Sequence, residues 1–212
     1  GMGVAASMAT REQHKLSLSS FYHVFSHLES ALDESTSEPV KAIWSAYEPS
    51  LRRSHLLEQD LKEMGAWPPA APSPETQCYL HVITDAAQSD EVAGTARLLG
   101  HIYSRHISDA LAAPVLGALK KRALEVSPKQ HLFDASTLAP WSLASMTTAL
   151  NEAGELAGSD DARAAIVAEA TRGLKQTGYM MSEIGGTKYR FAPGGLVRVL
   201  LGYKDPDAPP PL

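Results

Sequence analysis

Leu99, Ile102, Tyr103, Ile107, Ala110 and Leu111 recur at helical spacing, and Pro114 then removes a backbone N–H from the same run. An apolar helix that must bend or stop at a fixed point restricts the folds open to the chain more than any other feature. Proline also pushes Ala113 away from helical dihedrals, so the kink is expected just beyond Asp109. Arg105 and Asp109 sit one turn apart beside this stripe. On spacing alone they read equally well as a surface ion pair, which would add little stability, or as polar members of a site under the bend.

The rest of the pattern is helical, with no alternating strand signal and no internal repeat. Thr10 and Gln13 form a capping box ahead of a stripe of Leu18, Phe21, Phe25, Leu28 and Leu32, predicting a helix to about Ser35. A second helix is expected from Ser37 with Pro39 in its first turn, and a third from about Arg52 to Met64, closed by Gly65. Trp67 to Pro74 reads as a loop. Ser73 and Pro74 then open a helix to about Ala87, followed by the long kinked element from about Asp90 to Glu125. Two more helices are expected over 137–157 and 159–184, the last opened by Ser159, Asp160 and Asp161. The expected fold is all-α: one multi-helical bundle over 10–186, a flexible stretch over 1–9, and a tail over 187–212 that is apolar from Tyr189 to Leu201 and then proline-rich.

With 212 residues, 44% of them hydrophobic and 20% charged, the chain can bury one sizeable core. A net charge of −5 with scattered basic residues leaves no electrostatic footprint for nucleic acid. No apolar run reaches the ~18 residues of a transmembrane helix. Cys78, the single cysteine, can make no internal disulfide, which suits a reducing, cytoplasmic setting; it is expected as a small core residue. Read from Met2, the start Met2-Gly-Val-Ala-Ala-Ser7 fits the pattern for N-myristoylation at Gly3.

Tyr103, Ser104, Arg105 and Asp109 match in register the distal-helix pattern Tyr-Thr-Arg-Tyr-Leu-Gly-Asp-Leu-Ser-Gly-Gly-Gln of the haem (heme) oxygenases. Thr10-Arg-Glu-Gln-His-Lys-Leu16 with Ser20-Phe-Tyr-His-Val-Phe-Ser-His-Leu-Glu29 resembles that family's second helix, and Leu57-Glu-Gln-Asp-Leu61 is a third colinear match. The resemblance spans roughly residues 10 to 185. It implies haem as ligand, oxidative opening to biliverdin, carbon monoxide and iron, and an electron-donating reductase as partner. It also implies that Asp109 organises a distal water, with Arg105 and Glu29 as supporting polar groups. Phe25, Tyr103, Ser104, Ser108 and Ala112 would line the haem site.

Four departures temper what the resemblance implies. The family's iron-binding histidine lies upstream of the Thr10 equivalent, where this sequence has no histidine; His14 and His106 are the only substitutes, both weak. Ser108, Ala112 and Ala113 stand where the family's glycines let backbone approach the porphyrin. The basic partners of the propionates align with the uncharged Leu143 and Thr147. Phe25 replaces a tyrosine. A tetrapyrrole-binding or regulatory protein without turnover is therefore the alternative reading. The groove left by a missing first helix is expected to be filled by the 189–201 segment or by a second copy in a homodimer.

Other motifs carry less. His23 and His27 have the i, i+4 spacing of a metal pair, but no carboxylate motif accompanies them and they read as exposed. Phosphate-cradling glycines and a serine nucleophile elbow are missing from the sequence.

Overall fold

Thr10 begins the first helix as its spacing predicts. In the computed structural model, which describes residues 10–93, 95–107 and 143–185, its hydroxyl accepts the Gln13 N–H at 3.1 Å. Helix α1 then runs Arg11–Glu34, and Leu18, Phe25, Leu28 and Leu32 are buried along its inner face. Helix α2, Glu38–Leu51, carries Pro39 in its first turn. The chain breaks at Arg52 and Arg53 before α3, Ser54–Glu63. Gly65 closes α3 with a φ of +64°, a conformation that only glycine takes without strain.

Helix α4, Pro74–Ala93, opens on Ser73, whose hydroxyl accepts the Thr76 N–H at 3.3 Å. It outlasts its predicted end by six residues, and Asp90 belongs to it rather than starting the next element. The Asp90 carboxylate instead reaches across the break, accepting the Leu98 N–H at 2.9 Å, the Thr95 hydroxyl at 2.9 Å and the Arg97 N–H. It thereby satisfies donors at the start of α5, Leu98–Ile102. Ala96, with φ +52°, turns the backbone between the two helices. Helix α5 continues without a gap into a π-helical turn, Tyr103–Ile107. Helices α6, Leu143–Leu156, and α7, Asp160–Gly185, complete the described chain. Ser159 caps α7 by accepting the Ala162 N–H at 3.1 Å.

Helix α1 packs against α3 on one side and α4 on the other, α4 and α5 both lie on α7, and α2 packs on α6. The larger core gathers Leu28, Val40, Ile83, Leu99, Ile102 and Met180 from most of these helices. A smaller one joins Leu18 and Phe25 to Leu57, Leu61 and Met64 of α3. Fully burying such a side chain contributes about 1.5–3 kcal/mol. Helices α5 and α7 meet at backbone distance: a Cβ added at Gly100 would lie 2.6 Å from the Ile166 carbonyl oxygen and 2.7 Å from the Ala170 nitrogen.

Three local expectations are corrected. Cys78 is exposed on α4 and not part of the core. His23 and His27 are half-buried, because each reaches another segment: His23 Nε2 lies 2.8 Å from the Ala70 carbonyl oxygen and His27 Nε2 lies 2.9 Å from Thr84 Oγ1. Tyr103, counted in the apolar stripe, is 45% exposed, whereas Arg105 is buried. A π turn takes in an extra residue and so shifts the phase that an α-helical spacing assumes.

Candidate functional site

Residues 98–107 are buried on nearly every side, Tyr103 excepted, and three of the buried side chains are ionisable: His101, Arg105 and His106. Charged and polar groups survive such burial only when other elements supply partners. Arg105, 2% exposed, donates from Nη2 to the Ser104 carbonyl oxygen at 3.0 Å, and its guanidinium sits over the Phe21 ring of α1, 5.6 Å from the centroid.

His106 points to the opposite wall. Its Nε2 lies 2.8 Å from the Leu51 carbonyl oxygen and its Nδ1 lies 3.3 Å from that of Ile102. Carbonyl oxygens only accept, so the shorter contact assigns the single hydrogen of a neutral ring to Nε2. Burial, reinforced by the positive charges of Arg53 and Arg105, pushes the His106 pKa down to about 3. The hydrogen bond to Leu51 also supplies a donor to one of the carbonyls that the end of α2 leaves open. Phe25 presents its ring to His106 edge-on, with centroids 5.5 Å apart.

Glu29 completes this wall from α1. Only 3% exposed, its carboxylate accepts the Arg53 N–H at 2.6 Å, the Ser54 N–H at 3.0 Å and the Ser54 hydroxyl, and lies 3.9 Å from Arg52 Nη1. Arg53 and Ser54 lead into α3, so Glu29 serves as the cap that α3 lacks in its own sequence. The structure therefore brings Phe25, Glu29 and His106 onto one buried wall, joined through the α2–α3 break, while Arg105 lies buried on the other side against Phe21. Ser104 is buried on the α7 side, its hydroxyl donating to the His101 carbonyl oxygen at 3.2 Å. Tyr103 faces away from both. Ser108, Asp109 and Ala112, with the proline kink, lie outside the described residues.

Sequence reasoning missed Arg53 and the Leu51 carbonyl, which enter the wall through the tertiary fold. The run Arg52-Arg53-Ser54 carries no periodic signal, and a backbone oxygen carries none at all. Neither substitute for an iron-binding histidine is placed for that work: His106 is held between two carbonyls, and His14 is wholly buried in the first turns of α1. Thr147 stands half-buried on α6 and brings no charge. Among the described residues no group of three or more His, Cys, Asp or Glu is arranged to hold a metal ion, and no helix is long and apolar enough to cross a membrane.

The described helical layout matches the all-α heme oxygenase fold. Similar solved structures include heme oxygenase from Leptospira interrogans, 22% identical with a TM-score of 0.67 over 82% of this chain and 83% of that one. Heme oxygenase-2 from Synechocystis sp. PCC 6803, in complex with heme and NO, is 18% identical with a TM-score of 0.73 over 97% and 86% of the two chains. The heme oxygenase family profile matches residues 4–183, and the chain belongs to the heme oxygenase family. Among curated relatives, heme oxygenase 1 of Rattus norvegicus is 32% identical over 121 residues, 54% of this chain and 39% of the relative. The human heme oxygenase 1 is 29% identical over 121 residues, 55% and 40% of the respective chains. The chain thus spans about two fifths of the length of these curated relatives.

Proposed function

We propose that this chain holds haem against the 103–109 stretch and opens it oxidatively to biliverdin, carbon monoxide and iron, with electrons from a separate reductase. Burial of Arg105 carries the reading: a guanidinium is desolvated at the position that the family pattern reserves for a polar network, one turn ahead of Asp109. Haem supplies the reactivity toward dioxygen and is itself the substrate. In this reading the Asp109 carboxylate would hold a water as a proton source on the distal side of bound haem. Arg105 would supply a fixed positive charge one helical turn earlier in the sequence, and the apolar ring of Phe25 would limit access of bulk water to the wall. Glu29 acts at one remove, by holding the α2–α3 break to which His106 is tied.

The donor set fits the distal half of such a site. Neither substitute is placed as the iron ligand, since the His106 ring is held by the Leu51 carbonyl and His14 lies wholly inside. That observation favours a second reading, in which the tetrapyrrole is held without turnover.

Titration with haemin followed by a reductase and its electron source separates the two. A sharp Soret band and bile pigment, with pigment formation falling by about a hundredfold or more in Asp109→Asn, are expected for the catalytic reading. A Soret band that shifts as the iron is reduced but is not bleached, with no bile pigment formed, supports the binding reading. No spectral change on adding haemin sinks both.

A further inference from the structure

Behind Ser104, on the face turned from the wall just described, His101 and Glu169 form a buried pair. His101 Nε2 lies 3.2 Å from Glu169 Oε1, with both side chains almost wholly out of solvent. Glu169 also lies 3.6 Å from Arg172 Nη1, and Arg172 Nη2 donates to Asp85 Oδ2 of α4 at 3.2 Å. The Tyr79 ring of α4 packs beside the His101 ring, with centroids 5.8 Å apart. A chain of polar groups thus runs from the surface of α4 through α7 to the start of the distal segment.

Two glycines flank the pair. Gly100 admits the α7 backbone, and a Cβ added at Gly173 would lie 2.5 Å from Ser104 Oγ and 3.2 Å from His101 Nδ1. Contact this close leaves no room for a side chain between the helices, so the two glycines set how near α5 and α7 approach. The buried His101–Glu169 contact, 3.2 Å long, adds a polar constraint at the same crossing.

We propose that Glu169 is a positioning residue: through His101 it sets the axial rotation of the segment that enters the π turn, and so the direction in which Arg105 is presented. The functional half of this inference rests on the haem reading above; the positional half does not. One residue of rotational error in a helix is about 100° of turn, so a clamp two residues before the π turn governs how Tyr103–Ile107 is oriented. Ser104, whose hydroxyl donates to the His101 carbonyl and whose side chain abuts Gly173, passes the constraint on.

Amide hydrogen exchange on the full chain, without haem, tests the clamp directly. Glu169→Leu should speed exchange of residues 98–107 about tenfold or more while the α1–α3 amides change by less than about twofold. Glu169→Gln, which keeps an oxygen acceptor for His101, should restore protection to within about threefold of the parent. Should Glu169→Leu fail to fold, the double variant His101→Phe with Glu169→Leu removes both polar groups and keeps the volume filled. It should fold, yet still show the faster exchange at 103–107. Unchanged exchange at 98–107, equal acceleration in every helix, or no difference between Gln and Leu overturns the proposal. With haemin added, Glu169→Leu should also alter the spectrum of the bound pigment where Glu169→Gln does not. If the parent chain shows no haem spectrum, the haem reading falls while the exchange result still decides the clamp.

Discussion

Helix α1 and the 98–107 segment are both largely buried, yet they are buried on different terms. Along α1 the hidden positions follow the helical period, with Leu18, Phe25, Leu28 and Leu32 forming the apolar stripe and serines bonding back to their own helix, as Ser17 Oγ does to the Gln13 carbonyl oxygen at 2.9 Å. In 98–107 the period fails: His101, Arg105 and His106 lie inside together, each answered by a group from another element. A helix of the first kind is held by volume. One of the second kind is held by specific partners, and its stability should answer to charge and protonation.

Leu28→Ala is the strongest challenge on the α1 side. It empties space in the larger core and should cost about 2–5 kcal/mol in chemical denaturation. A loss below about 1 kcal/mol would mean that α1 is not held by volume, and the contrast would dissolve.

The 98–107 side is sharpened by pH. The unfolded chain takes up a proton on His106 near 6.5, whereas the folded chain refuses it until about 3. Acid therefore favours unfolding by roughly 1.4 kcal/mol per pH unit through that window, and this share of stability is fully present only above 6.5. His106→Gln keeps a donor for Leu51 without titrating, so its unfolding free energy should fall less steeply between pH 6.5 and 4. Parallel pH profiles for parent and variant would remove His106 as a neutral strut.

The smallest expected effect lies at the end of α1. Thr10→Ala removes the cap on Gln13 and should cost about 1 kcal/mol, with faster exchange confined to the first turn. Spread of that effect into 98–107 would show that the two regions do not behave separately.

Much of the fold was legible because it is written locally. Thr10 with Gln13, Ser73 with Pro74, and Ser159 with its two aspartates each start a helix within a few residues of themselves. The break before Leu98 was misplaced because its donors are met by Asp90, seven and eight residues back and on another helix. Cys78 was expected inside because cysteine is usually buried, but residue type cannot say which way α4 faces. At the site, the resemblance singled out Phe25, Glu29 and Arg105, all of which are buried. That Glu29 reaches the wall by capping α3, and that Tyr103 turns outward at the π turn, could not be read from spacing.

By itself the sequence determined the helices, most of their ends and the family, since capping, apolar periodicity and motif register all act over a few residues. Only the tertiary structure decided which buried polar groups meet: His106 with the Leu51 carbonyl, Glu29 with the Arg53 and Ser54 N–H groups, His101 with Glu169. Those partners lie 24 to 68 residues apart, and a desolvated group is paid for by whatever the fold brings to it, wherever that stands in the chain.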